Sequence, residues 1–411
     1  MSTIFDKYDP LKQRATLIQR LGIDPFNMTF DDIMGPTRGR VGNREIILAG
    51  TNNYLGLTYD EATRNAAKDA IDRHGTGTTG SRIANGSYRE HETLEKDLAD
   101  HLGKPSCIVF TTGYVTNLAA MAGLAGPNDV IFIDADAHAC IIDGTRLAGT
   151  TTVRFRHNNP ADLDKRLGRQ SFKDGGHALV VIEGLYSMFG DIAPIAEFAE
   201  VCKKHGAYLY VDEAHSYGVF GPTGCGIAEE QGVLDDIDFF SGTFSKSLAS
   251  VGGFCASKHP EFELLRKAMR PYMFTASAAP ANICAAQAAH EAIRNRPELR
   301  HNIQARAKQL HEGLSDLGFD LCAPASPVIA IRRQNEAQAA IEWNWLLKEG
   351  VYVNLAVPPG TPQSSSLLRI SVSAAHSVED VKAILSTFKK LRDENASILS
   401  EMMLKMQSAA E

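Results

Sequence analysis

Several absences narrow what this chain can be. No apolar run approaches the ~20 residues of a membrane-spanning helix; residues 178–182 (ALVVI) are typical of the longest. The first ten residues, MSTIFDKYDP, lack the charged and apolar regions of a signal peptide. Seven cysteines are scattered, the closest pair being Cys202 and Cys225, so no C-x-x-C zinc or redox spacing exists. Reduced thiols in a cytoplasm are expected, and a disulfide scaffold or zinc module is excluded. There is no phosphate-cradling GxxxxGK[ST] loop, no GxSxG elbow and no HExxH among the 13 histidines, so no metal site is expected. Repeats and low-complexity tracts are missing too. So is excess positive charge: a net charge of −7 argues against a protein that grips nucleic acid through its phosphates.

The chain offers 411 residues, 44% of them apolar and 22% charged, enough for a sizeable core and two or three domains. Short apolar runs at 107–110 (CIVF), 130–133 (VIFI), 153–155, 179–182 (LVVI), 208–211 (YLYV), 237–240 (IDFF) and 253–256 alternate with helical stretches such as 117–124 and 195–205. Most runs are continuous rather than alternating, as in strands buried on both faces. The rhythm predicts an α/β domain with a mostly parallel central sheet. Residues 1–50 read as a helical arm and 51–295 as the large domain. Residues 296–411 read as a smaller α+β domain, with strands at 328–331, 351–353 and 368–372. A helix over 61–73 places Ala62, Ala66, Ala70 and Ile71 on one face. A long helix follows Pro280 toward Gln309. Another starts near Ser377, with Val381, Ile384, Leu385 and Phe388 in the helical period. Met402, Met403 and Met406 could form a lipid- or partner-binding face, but the favoured reading is the continuation of that amphipathic helix, packed on its own protein.

Two motifs resemble chemistry they do not carry. Residues 75–80 (GTGTTG) match GxGxxG, but a dinucleotide fingerprint must follow a strand and open a helix. Here a helix precedes it, and the next helix starts only at the capping box Ser87-x-x-Glu90. The loop is either a backbone approach to a ligand or a plain connector. Residues 212–215 (DEAH) resemble a helicase box without the phosphate loop that such a mechanism needs.

Two segments do carry chemistry. In 207–218 (AYLYVDEAHSYG) an apolar strand ends on Asp212, with His215 three residues on. The carboxyl ends of strands in an open parallel sheet face the ligand crevice. In 237–253 (IDFFSGTFSKSLASVGG) a strand leads into hydroxyl residues around Lys246. A lysine so placed fits a Schiff base with pyridoxal phosphate (PLP), with Thr243 and Ser245 bonding phosphate and Asp212 pairing with the protonated pyridine nitrogen. Gly113 and Tyr114, opening a helix after the CIVF strand, suit a phosphate. His138, after the VIFI strand, is placed to lie on the cofactor ring.

At these residues the sequence resembles the α-oxoamine synthases, PLP enzymes of fold type I, over nearly its whole length. GTFSKS (242–247) with VDEAHS (211–216) carries the likeness, joined by GTGTTGSR (75–82), EGLYSMFGDIAP (183–194) and LLRIS (367–371). VRFRHN (153–158), DLDKRLGR (162–169) and RPYMFTAS (270–277) place it nearest the homodimeric bacterial serine palmitoyltransferases. The resemblance implies a seven-stranded, mostly parallel sheet and a decarboxylative condensation of L-serine with a long-chain acyl-CoA. It implies Lys246, His138, Asp212 and His215 as catalytic residues, with His215 on the cofactor's phenolic oxygen. Gly113, Tyr114, Ser187, Thr243 and Ser245 would complete the cofactor site, with Thr275 reaching the phosphate from the opposite subunit. Asn53 and Arg369 would meet the amino acid, Arg369 at its carboxylate. Relatives carry an arginine before the Pro-Pro of the preceding loop; here Val357 precedes Pro358 and Pro359. Other readings are a sister synthase using glycine, alanine or another acyl thioester, and a non-catalytic subunit of this fold. The retained lysine, aspartate and histidines speak against the latter. A peripheral membrane contact is compatible with the sequence.

Overall fold

The structure is a computed structural model. It describes residues 3–12, 15–16, 23–172, 175–358 and 360–408, excluding the side chains of residues 363 and 401–408. Two compact units are present: residues 52–187 with 191–302, and residues 1–51 with 188–190 and 303–411.

The N-terminal stretch is a helical arm only in its first part. After a 3-10 turn at Asp6–Tyr8, residues 9–12 and 15–16 are helical, whereas the later residues pair as antiparallel strands β1 (Asp32–Gly35), β2 (Arg38–Val41) and β3 (Arg44–Leu48). Gly42, at φ +60, supplies the left-handed residue that a two-residue hairpin loop requires. In β3 the buried Ile46 and Leu48 follow the period of two that a helical reading overlooks.

The larger unit holds the central sheet. Its strands are β4 (Ser106–Phe110), β5 (Val130–Asp134), β6 (Thr151–Phe155), β7 (Ala178–Glu183), β8 (Tyr208–Asp212), β9 (Phe239–Thr243) and β10 (Gly253–Ser257), in the order β4-β10-β9-β8-β7-β5-β6. All neighbours run parallel except β10, antiparallel to both β4 and β9. The sequence pattern thus gives the right sheet. β4, β5, β7, β9 and β10 are buried throughout, whereas the polar β6 forms an edge. One core cluster gathers Ile131, Ile133, Val181, Tyr210, Met121 and Ile141 between the sheet and its helices.

Three local expectations are corrected. The helix Glu61–His74 buries Thr63 and Ala70 and leaves Ile71 44% exposed, so its inner face is narrower than the alanine stripe predicted. The next helix, Arg89–His101, is capped at Tyr88, whose N–H donates to His91 Nδ1; Ser87 Oγ instead donates to the Arg82 carbonyl at 2.7 Å. The long helix after Pro280 is two, Pro280–Asn295 and Glu298–Asp316. Pro297 lacks the N–H to continue the ladder and drives Arg296 out of helical geometry (φ −125°, ψ 68°).

The smaller unit adds β11 (Val328–Arg333), β12 (Val351–Tyr352), β13 (Asn354–Ala356) and β14 (Ser366–Ser371). β12 joins β3 in parallel, and β11-β14-β13 form a three-stranded sheet. The helix Val378–Ser408 buries Val381, Ile384 and Phe388, as its period predicts. The side chains of Met402, Met403 and Met406 lie outside the described residues. Among the described residues no helix is long and apolar enough to cross a membrane, and none of the cysteines forms a disulfide.

Candidate active site

Parallel strands deliver their last residues to one edge of the sheet. A cavity there is lined by Gly113, Tyr114, Asn117, His138, Cys140, Glu183, Asp212, His215, Thr243 and Lys246, among others. Seven of the residues singled out from sequence therefore meet in one place. A larger cavity, about 420 Å³, is lined by His177, Tyr208 and Phe239 and lies at the opposite, amino ends of β7–β9. It holds none of them.

Asp212 ends β8. One carboxylate oxygen accepts the Ala214 N–H at 2.9 Å and the other accepts from Asn117 Nδ2 at 2.5 Å. Asn117 sits one turn into the helix Gly113–Leu124, and its Oδ1 accepts from Tyr210 (2.6 Å) and Ser241 (3.2 Å). His215 Nδ1 is 2.7 Å from the Tyr54 hydroxyl, which fixes the ring at the cavity wall. His138 caps the helix Ala139–Ala148, and its N–H donates to Glu183 Oε1 at 2.7 Å. Burial lowers the His138 pKa and Lys246 adds to this, while the Asp212 charge opposes both. Glu183, the buried end of β7, is pushed far above the carboxylate range by burial and by Asp212, its partner across the strand pair. Glu213, also fully buried, is raised to about 7 by burial despite bonds from Ser216 and the Ala228 and Ile227 amides.

The start of that first helix lies close against the end of β9. Thr112 caps the helix through the Val115 N–H, leaving the first-turn amides at its open end. A Cβ at Gly113 would sit 2.7 Å from Thr243 Oγ1, so only glycine lets helix and strand approach this closely. The Ser245 N–H donates to that same Thr243 oxygen at 3.3 Å.

The other expected residues are not among those lining the cavity, though Ser245 adjoins it through Thr243. Ser187 and Ser245 do not line this cavity. Thr275 lines a separate small cavity with Arg82 and Tyr272. Its segment is braced: Tyr272 packs beside the guanidinium groups of Arg82 and Arg266 (5.8 and 5.9 Å), both bonded to Glu95. The Gly/Thr loop joins the bracing. Gly80 accepts the Ser277 N–H at 2.9 Å and Thr78 Oγ1 meets Ser277 Oγ at 2.7 Å, so the loop supports this segment. Asn53 donates to Thr58 Oγ1 at 2.7 Å. Arg369, in the smaller unit, is 5% exposed on β14 and donates to Ser371 Oγ at 2.8 Å. Val357 is buried in the same unit; Pro359 lies outside the described residues.

Sequence reasoning missed Asn117, Tyr210, Cys140, Glu183 and Tyr54. Asn117 left a trace, a lone amide in the apolar helix GYVTNLAAMAGL four residues from Gly113, hence on the same face. His157, inside the VRFRHN segment, bridges Asp134 and Asp191 at 2.7 Å each behind the His138 loop. Burial opposes its charge, yet the two carboxylates raise its pKa to about 10.

A mostly parallel sheet that presents a lysine, a carboxylate, two histidines and a glycine-opened helix at its carboxyl edge defines a PLP-dependent transferase of fold type I. The donor set fits PLP: amine, anion for a ring nitrogen, and amides with a hydroxyl for phosphate. The family model for aminotransferase class I and II matches residues 44–388. A serine palmitoyltransferase of Caulobacter vibrioides is 49% identical over 94% of this chain and 96% of its own. A solved structure of serine palmitoyltransferase with PLP internal aldimine matches at TM-score 0.93 and 42% identity, over 97% of this chain and all of the other. An 8-amino-7-oxononanoate synthase of Lysinibacillus sphaericus is 36% identical, over 86% of this chain and 90% of its own. The chain belongs to the aminotransferase class I and II family and, within it, to the α-oxoamine synthases, which are PLP-dependent acyltransferases.

Proposed function

We propose that this chain condenses L-serine with a long-chain acyl-CoA, releasing CoA and CO₂; with a palmitoyl donor the product is 3-oxosphinganine. The convergence of Lys246, Asp212, His215 and His138 on one cavity carries the reading. Higher identity to a serine palmitoyltransferase than to the oxononanoate synthase favours the serine branch.

Bound PLP supplies an electron sink that stabilises negative charge at the amino-acid Cα. Lys246 would provide the amine that holds the cofactor and the base for the Cα proton. Asp212 holds a proton on the pyridine nitrogen, and Asn117 and the Ala214 amide keep its carboxylate aimed. His215, steadied by Tyr54, would donate to the phenolic oxygen. His138 would lie against the cofactor and orient the substrate carboxylate, favouring loss of the Cα proton over loss of CO₂. Gly113 and Tyr114 amides with Thr243 and Ser245 hold the phosphate, with Ser187 beside the ring. Asn53 and Arg369 receive the amino acid, Arg369 through its two-pronged guanidinium.

The functional unit is a cytoplasmic homodimer, possessing two sites that each borrow Thr275 from the partner; its position in a cavity separate from Thr243 supports this. Incubating the enzyme with serine, glycine or alanine against a ladder of acyl-CoAs, with products read by mass spectrometry, tests the reaction. Product from serine and C16 donors is expected; turnover confined to alanine or glycine defeats the serine assignment. Light scattering tests the dimer, a monomer counting against it.

A further inference from the structure

The hydrogen bonds around His138 leave little freedom for its ring. Its Nδ1 lies 3.2 Å from the backbone nitrogen of Cys140 and 2.9 Å from Cys140 Sγ. A backbone amide can only donate, so Nδ1 carries a lone pair and no proton. The thiol facing the same lone pair must therefore donate its S–H. Its sulfur in turn accepts from Asn117 Nδ2 at 3.1 Å. Asn117 is oriented beyond dispute between amide ends. Its nitrogen also faces the carboxylate of Asp212, which only accepts, and its oxygen faces the hydroxyls of Tyr210 and Ser241.

We propose that Cys140 is a positioning residue: its thiol, donating to Nδ1, locks His138 as a neutral imidazole with its proton on Nε2, the one ring nitrogen left to a ligand. The thiol keeps its proton, because burial and the Asp212 charge raise its pKa to about 12. Charging His138 would place a hydrogen on Nδ1 against two donors. The charged and titratable groups around the ring are Asp212 from β8, Glu183 from β7, Lys246 after β9, Tyr114 from the preceding helix and Cys140 itself. Asp212 alone favours the cation. A neutral ring has a purpose under the function proposed above: an imidazolium stacked on the cofactor would repel the proton that Asp212 holds on the pyridine. The tautomer does not depend on that reading.

The test is nitrogen-15 NMR of histidine-labelled, cofactor-free protein, with the His138 signals assigned by His138→Gln. Near neutral pH the wild type should show the Nε2–H tautomer; an Nδ1–H or doubly protonated ring overturns the proposal. In Cys140→Ala the His138 pKa should rise by about half a pH unit or more, the size expected for one weak hydrogen bond. Cys140→Ser, which restores a donor, should return it toward wild type. An unchanged pKa in the alanine variant also overturns the proposal. Should that variant fail to fold, Cys140→Val makes the same deletion with the volume kept, and the wild-type tautomer needs no variant. None of these readings involves turnover, so failure of the serine assignment stays distinguishable.

Discussion

Replacing Asp212 by asparagine removes one charge and almost no volume, yet two separate losses are expected. The first is internal. Asp212 Oδ2 lies 2.5 Å from Asn117 Nδ2 and Oδ1 lies 2.9 Å from the Ala214 N–H, so both oxygens face donors. An amide must turn its own NH₂ toward one of them, and Asn117 cannot flip without abandoning Tyr210 and Ser241. One buried bond lost should destabilise the cofactor-free protein by ~1–3 kcal/mol. The second loss concerns PLP. A charge-assisted bond to the pyridine nitrogen contributes ~1.5–3 kcal/mol, so the dissociation constant should rise roughly 12- to 160-fold. Urea unfolding with and without PLP separates the two. At free PLP about 100 times the wild-type dissociation constant, binding adds ~2.7 kcal/mol to wild-type stability. The same concentration should add only ~0.3–1.3 kcal/mol to the variant. An equal PLP-induced gain in both proteins would refute the role given to Asp212.

Arg369→Ala should raise the serine dissociation constant about tenfold or more, the ~1.4 kcal/mol or greater of one charge-assisted contact. Val357→Arg should tighten serine binding or partly rescue Arg369→Ala; titrating serine against the visible absorbance decides both, and unchanged affinities reject them. His157 has a folded-state pKa of about 10, above the ordinary ~6.5, so its stabilisation is complete below about pH 6.5 and fades as pH rises through about 10. His157→Gln should therefore lose more stability at about pH 6 than above about pH 10, and a pH-independent difference in urea midpoints would contradict this. Glu95→Gln should destabilise by ~3–5 kcal/mol, because the buried Arg82 and the half-buried Arg266 lose their shared carboxylate. A thermal midpoint equal to wild type would show that network to be idle.

What could be read from the residues, and what could not, follows their physics. Strands such as 107–110 and 130–133 announce themselves because burial on both faces demands unbroken apolar runs. Lys246, Asp212 and His138 were legible because each ends or follows such a strand. Strands β1–β3 were not, since MGPTRGRVGNREI is polar and its hairpin rests on one glycine conformation. Asn117, Tyr210 and Cys140 come from three different elements, and only the fold makes them one hydrogen-bonded group. The Ser87 cap failed because its hydroxyl is spent on the Arg82 carbonyl, while His91 takes the Tyr88 N–H at the helix start.

The antiparallel strand β10 gives the seat proposed for the phosphate a place in the order of folding. Gly253 opens β10 beside Gly113 and Thr116, where any Cβ would meet Thr116 Oγ1 at 2.4 Å and the Gly113 nitrogen at 2.8 Å. Ser257 pairs with Ser106, about 150 residues earlier, so the pairing that seats Gly253 closes a very long loop. Closures of that span are slow, because the entropy is lost before the contacts form. The seat proposed for the phosphate is thus completed only when the two ends of the sheet's history meet. A chain that has built β5–β8 alone has Asp212 in its strand but no finished seat for the phosphate. Cofactor uptake then acts as an inspection of the finished sheet, so binding of PLP would report folding as well as chemistry.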